Sequence, residues 1–168
     1  CDILNEFYEH GFSVKGVDSV ASSGSEYPHI PVILADIDGT RLPFPDNSVD
    51  VIFSKSVIEH LLYPESYIRD CYRCLKPDGV LITMSPDWEV QYKKFFDDWT
   101  HKTPFTLYTM INIYKLCQFR FSHITYFKQL PILWHSTLLS HLSNIIAPFI
   151  PLRTTSKLRW LRERQILA

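Results

Sequence analysis

With 168 residues, 46% apolar and 21% charged, the chain fits one globular domain that can bury a sizeable core, which excludes a disordered or fibrous class. The formal net charge is -1, and no nucleic-acid partner is expected from it. The charge is unevenly spread, however. Residues 1–84 carry 13 acids and 6 bases (net -7), and residues 85–168 carry 5 acids and 11 bases (net +6). Two such halves either face an anionic substrate or surface, or simply solvate differently.

Residues 2–10 read as a helix with Ile3, Leu4, Phe7 and Tyr8 on one face, stopped by Gly11. Residues 12–17 read as a strand with Asp18 at its carboxyl end. Residues 19–30 are polar and rich in Gly, Ser and Pro, as a loop or at most a short helix would be. The apolar runs 32–35 and 51–53 do not alternate, so both are expected as short strands of a parallel sheet, buried on both faces. A turn-rich loop with Gly39, Pro43, Pro45, Asp46, Asn47 and Ser48 separates them.

Residues 56–62 form a helical turn, and Pro64 starts a helix through Ile68, Cys71, Tyr72 and Leu75. Lys76-Pro77-Asp78-Gly79 is a turn signal before a strand at 80–84. Strand and helix alternating at this spacing predict an α/β domain, a mostly parallel sheet with helices on both faces. Residues 106–119 carry a helical stripe of Leu107, Met110, Ile111, Tyr114 and Cys117, and 121–129 read as a strand. From Gln129 to Leu152 there is no Asp, Glu, Lys or Arg. Within that span Ser136, Ser140, Ser143 and Asn144 stand opposite Leu138, Leu142, Ile145 and Ile146 on an amphipathic helix. Core packing or a substrate cap is expected of it ahead of peripheral membrane contact beside the basic residues 153–164.

The four cysteines suggest no disulfide framework. Cys71 and Cys74 share one face of a helix and lack a second Cys/His pair, so buried thiols are expected and no metal site. A reducing, cytoplasmic compartment follows as the expectation. The opening residues carry acids where a signal peptide would carry bases.

Two resemblances compete over residues 32–61. Asp36-Ile37-Asp38-Gly39-Thr40 looks like the nucleophile motif of haloacid-dehalogenase-type phosphatases, in which one carboxylate attacks phosphorus and the second protonates the leaving group. The later Lys and paired metal-binding acids of that family do not assemble.

Taken whole, the first half resembles the class I S-adenosylmethionine-dependent methyltransferases, in particular the small-molecule group with a Leu-Pro-Phe loop. The matching residues are Gly16-Val17-Asp18, Asp36-Ile37, Leu42-Pro43-Phe44-Pro45-Asp46-Asn47-Ser48, Asp50-Val51-Ile52, Glu59-His60 and Leu75-Lys76-Pro77-Asp78-Gly79-Val80-Leu81. The resemblance implies a Rossmann-like doubly wound fold in a single domain. Residues 1–86 would be the cofactor-binding part, and 87–168 the substrate side with a helical insertion near 131–164. In that family a Gly-rich turn lies just before the first helix, so Cys1 falls where its last glycine would be. The first strand and that loop are therefore expected to be missing from this chain.

The implied cofactor is S-adenosylmethionine and the implied activity is methyl transfer to a small-molecule, glycan or lipid-linked acceptor. By the same resemblance Asp18 would meet the ribose hydroxyls, and Asp36 the adenine amino group with Ile37 packed on the ring. Asp38 competes with Asp36 for that role, and Ser54 and Lys55 would line the methionine end. His101, in a loop after the fourth strand, is the candidate general base, with loop fixing as its structural alternative; His60 is read as packing at a helix start. A degenerate cofactor- or partner-binding module is the remaining alternative.

Overall fold

The computed structural model describes residues 2–20, 26–120, 123–151 and 159–168. Cys1, the middle of the 19–30 loop, the start of the strand expected at 121 and residues 152–158 of the basic tail lie outside them. Helix α1 (Asp2–Glu9) comes first, and Gly11 follows it in the left-handed conformation (φ 87°) expected of its cap. Strands β1 (Gly16–Asp18) and β2 (Val32–Leu34) then pair in parallel, Gly16 opposite Val32 and Asp18 opposite Leu34. The first strand is shorter than the expected 12–17, and Phe12 is exposed.

A second sheet has the order β3-β4-β6-β5. Strands β3 (Val49–Lys55) and β4 (Leu75–Pro86) run parallel, joined by helix α2 (Pro64–Cys74). Strands β5 (Thr125–Phe127) and β6 (Gln165–Leu167) complete it, β6 antiparallel to both its neighbours. Strand β6 follows directly on the basic residues 153–164, where no strand is expected from the sequence. The Lys-Pro-Asp-Gly turn lies inside the β3–β4 ladder. Val49 faces Leu75 and Val51 faces Val80, so residues 76–79 bulge out, with Asp78 left-handed (φ 65°). Gly79 is required there, since a Cβ would stand 2.9 Å from the Lys76 carbonyl oxygen and 3.1 Å from that of Asp50.

The core lies between α2, helix α4 (Leu107–Leu116) and the second sheet. It gathers Ile58, Tyr67, Ile68, Cys71, Cys74, Leu81, Met110, Tyr114 and Ile166. Cys71, Cys74 and Cys117 are free and buried in it, as read from their helical spacing. Helix α4 starts on a capping box in which Thr106 and Thr109 bond each other's backbone N–H.

Two burial expectations need correction. Leu34 on β2 is 60% exposed and Val51 on β3 43%, and among the described residues β1 and β3 do not pair with each other and each keeps a free edge. A continuous apolar run is buried on both faces only where both are covered. Helix α1 touches both strands: Leu4 lies against Gly16, and the Phe7 ring is 6.0 Å from that of Phe53.

The second correction concerns helix α5 (Thr137–Ile146), which forms where expected but turns its polar face inward. Ser143 is buried, and Lys128 donates to its hydroxyl and to the Asn144 side-chain oxygen. Leu138, Leu142, Ile145 and Ile146 face outward instead, so the apolar stripe packs into no core. Among the described residues no helix is long and apolar enough to cross a membrane.

One ion pair holds the late strand on the sheet. Arg164, just before β6, bonds Asp87 at the end of β4 through two nitrogens, at 2.5 and 2.6 Å. The same guanidinium reaches Glu89 at 3.0 Å and covers the Tyr126 ring of β5 at 3.5 Å. The Asp87 side chain is fully buried, so Arg164→Met should cost about 3 kcal/mol or more by stranding its charge. The double variant Asp87→Asn/Arg164→Met should recover much of that loss in urea denaturation. Equal stability of Arg164→Met and the parent chain would refute the assignment.

Candidate active site

Side chains alternate along β4, so Leu81, Thr83, Ser85 and Asp87 share one face. That face begins apolar and becomes polar toward the carboxyl end, where ligands of parallel α/β sheets bind. Thr83 bonds the Tyr114 hydroxyl of α4 at 2.9 Å and Asp87 holds Arg164, leaving buried Ser85 between them. Against this end pack two loops, the helical turn Ile58–His60 after β3 and the stretch 95–105.

The second loop is locked onto the first. The backbone N–H groups of Lys102 and Thr103 both donate to the Glu59 carbonyl, at 2.8 and 3.0 Å. The Thr103 hydroxyl donates to the Leu61 carbonyl, and Trp88 N–H donates to the Phe105 carbonyl from the β4 side. His101 thereby stands beside His60, their ring centroids 4.7 Å apart, with the Phe95 ring 4.4 Å from that of His101.

Hydrogen bonding fixes both imidazole tautomers. His101 Nδ1 lies 2.7 Å from the Phe95 carbonyl, which can only accept, so Nδ1 carries the proton and Nε2 the lone pair. Thr100 gives its hydroxyl proton to Asp98 at 2.6 Å, so the same oxygen accepts from His60 Nδ1 at 2.9 Å. The free lone pair of His60 is again on Nε2. Burial and then the neighbouring His101 hold the His60 pKa below its ordinary value.

Glu59 completes the group. Its side chain is fully buried, and neither carboxylate oxygen has a hydrogen-bond partner among the described residues. Burial pushes its pKa from 4.5 up to about 7, tempered by its own backbone N–H and then the nearby Ser85 and Ser56 hydroxyls, and reinforced by Asp98. One Glu59 oxygen and one nitrogen from each histidine lie within 4.8 Å of one another. Glu59 and His60 were visible in the sequence only as a matching pair; the spacing gave no sign that His101 would join them.

The other expected site residues separate into those free to meet a ligand and those already engaged. Asp18, at the carboxyl end of β1, accepts from Val20 N–H with Oδ1, and among the described residues nothing bonds Oδ2. Asp36 Oδ1 accepts from Asp38 N–H, and Ile37 packs against the core edge. The Asp38 carboxylate is committed: it accepts from the Leu62 and Tyr63 N–H groups at the start of α2 and from Lys102 Nζ at 3.2 Å. These donors lower its pKa against the opposing effect of burial. Lys55 is exposed at the end of β3, whereas Ser54 is buried beside the Tyr67 phenol.

This geometry does not support the phosphatase reading. A carboxylate that caps a helix start and pairs with Lys102 is not a general acid waiting beside a nucleophile. Arg73 shapes the loop that follows, donating to the Leu42 and Phe44 carbonyls and to Asp46 while paired with Asp70. A groove of about 730 Å³ opens beyond Thr103 and Pro104, between the start of α2 and α4.

Residues 3–83 match the model of a methyltransferase domain family. The chain is 39% identical over 69 residues to a probable S-adenosylmethionine-dependent methyltransferase of Mycobacterium tuberculosis, covering 41% of this chain and 24% of that protein. It is 34% identical over 110 residues to malonyl-[acyl-carrier protein] O-methyltransferase 1 of Coxiella burnetii, covering 63% of this chain and 36% of that one. The chain thus spans about a quarter to a third of these relatives. Its fold matches the crystal structure of a SAM-dependent methyltransferase from Archaeoglobus fulgidus with a TM-score of 0.70 at 22% identity, over 99% of this chain and 80% of the other.

The raised Glu59 pKa has a sign. Between 4.5 and about 7 the unfolded chain has lost this proton and the folded one keeps it, so this group's effect on stability worsens as pH rises. Glu59→Gln should remove that loss, exceeding the parent in stability by roughly 3 kcal/mol at most above about pH 7. The gap should close as the pH falls toward 4.5. Denaturation curves at several pH values measure it, and a gap independent of pH would count against the buried carboxylate.

Proposed function

The chain has the sequence signature and the fold of the class I S-adenosylmethionine-dependent methyltransferases, and on that premise we propose that the protein transfers a methyl group from S-adenosylmethionine to a small-molecule, glycan or lipid-linked acceptor through an oxygen atom. The observation that carries this reading is the polar cluster of Glu59, His60 and His101 at the carboxyl end of β4, an arrangement able to take a proton from an acceptor hydroxyl. The free edges of β1 and β3 support a further strand lying between them, so tests of activity belong to the full-length protein.

The residues present fit the cofactor in part. Asp18 offers the ribose hydroxyls a carboxylate oxygen that is unengaged among the described residues, a strong charged acceptor. Asp36 keeps Oδ2 for the adenine amino group, with half-buried Ile37 beside it; Asp38, fully engaged elsewhere, does not suit that role. Lys55 remains the candidate for the methionine end, and Ser54 is too far turned into the core. The cofactor supplies an electrophilic methyl group on a sulfonium.

The chain's own work is to align the acceptor, exclude water and accept its proton. His101 is the favoured base, because its Nδ1–H is fixed on the Phe95 carbonyl and its Nε2 lone pair stays free. The highly exposed Trp99 indole, next to Thr100, offers an apolar surface to an incoming acceptor.

In the full-length protein Asp18→Ala should weaken cofactor binding roughly 10- to 100-fold, as expected for losing hydrogen bonds to a charged group. Unchanged affinity by calorimetry would remove Asp18 from the ribose role. His101→Ala should lower kcat by roughly 100-fold or more while leaving that affinity intact.

A second reading concerns location. The outward stripe of α5, with Leu138, Ile145 and the nearby Phe149, and the basic residues 153–164 support peripheral contact with an anionic membrane. Leu138→Ser/Ile145→Ser should then reduce cosedimentation with phosphatidylserine vesicles and leave binding to neutral vesicles unchanged. Equal recovery of variant and parent would argue that the stripe serves another partner.

A further inference from the structure

We propose that Glu59, His60 and His101 bind a divalent transition-metal ion. Their three donor atoms already lie within 4.8 Å of one another, without any ion to draw them together. An ion about 2.0–2.2 Å from each donor would hold them roughly 3–3.5 Å apart. Small side-chain rotations of about an ångström reach that arrangement.

Four features favour a cation at this point. The Glu59 carboxylate is fully buried and lacks a hydrogen-bond partner among the described residues, a costly state that a cation relieves. Both histidines have Nδ1–H fixed, His101 on the Phe95 carbonyl and His60 on the Thr100–Asp98 pair. Carbonyls and carboxylates behind an imidazole orient ligating histidines in this way. The nearby charge has the right sign: Asp98 adds a second carboxylate 3.8 Å from His101 Nε2, while the Lys102 ammonium is held by Asp38. Finally, the ligands sit on two loops already joined, since Lys102 and Thr103 bond the Glu59 carbonyl.

Two imidazoles and one carboxylate suit Zn, Co, Ni, Fe(II) or Mn better than the all-oxygen preference of Ca or Mg. Three protein donors leave positions open for an oxygen ligand. If the methyl-transfer reading holds, the acceptor hydroxyl would be that ligand, and the ion, by occupying the His101 Nε2 lone pair, would take over from His101 the task of easing its proton loss. Metal binding itself does not rest on the reading.

Titrating the metal-free protein with Co(II), followed by its visible absorption, tests the site directly. The parent should show saturable binding that His60→Ala/His101→Ala weakens by at least roughly a hundredfold, the upper end of what losing a supporting contact costs. His29→Ala, whose ring rests on Asn5 and Tyr8, should bind like the parent. Glu59→Gln guards against misfolding, because it relieves a buried charge. Co(II) should raise the melting temperature of the parent and leave that of Glu59→Gln unchanged. The site is overturned if the parent shows no saturable binding, or if the double variant and Glu59→Gln both keep the Co(II) response. Either result would leave His101 as a partner of Asp98, and the Asp18 test of cofactor binding would stand apart from it.

Discussion

The buried Asp87–Arg164 ion pair is the constraint on which the active end of the sheet depends. Asp87 closes β4, caps the short helix α3 (Trp88–Gln91) through the Glu89 N–H, and receives β6 through Arg164. The next residue, Trp88, bonds the Phe105 carbonyl and so anchors the loop that carries His101. Burial raises the Asp87 pKa and Arg164 opposes that rise, so the charge is retained by its partner and not by water. Loss of the pair would loosen strand, helix and loop together.

On the turn after the neighbouring strand β3, the chemistry reverses. Asp87 is buried with its counter-ion, whereas Glu59 is buried with none among the described residues. A folded chain keeps an uncompensated carboxylate only where the surroundings over-determine its position. Here they do: the Glu59 backbone is fixed by Lys102 and Thr103, and Ile58 beside it lies fully inside the core. The packing that stabilises the domain therefore also holds a destabilised group beside two imidazoles. Such a mismatch, next to the end of a parallel strand, is the physical mark of a functional site.

Much of the fold was legible because it is locally encoded. Pro64 at the start of α2, the Thr106 cap of α4 and the Gly79 bulge each appear as residue types with a fixed backbone preference. Strand β6 was not legible, since Gln165, Ile166 and Leu167 are too few to carry a period and owe their conformation to β4 and β5. The inward polar face of α5 was hidden for a related reason. Periodicity reveals two faces, but only the distant Lys128 decides which of them is buried. At the site, the acids after β1 and β2 could be read from the sequence, but the commitment of Asp38 to α2 depends on backbone donors 24 and 25 residues away.

The antiparallel placement of β6 has a consequence for how the chain acquires its shape. Arg164 and Asp87 are 77 residues apart, so β4 must wait for nearly the whole second half of the chain to be synthesised before its partner exists. Helix α2 and the β3–β4 pair need no such delay, being built from contacts closer along the chain. During synthesis Thr83, Ser85 and Asp87 therefore remain an open polar row on a strand already paired on its other side. Closing that row is a late event with a long loop to close.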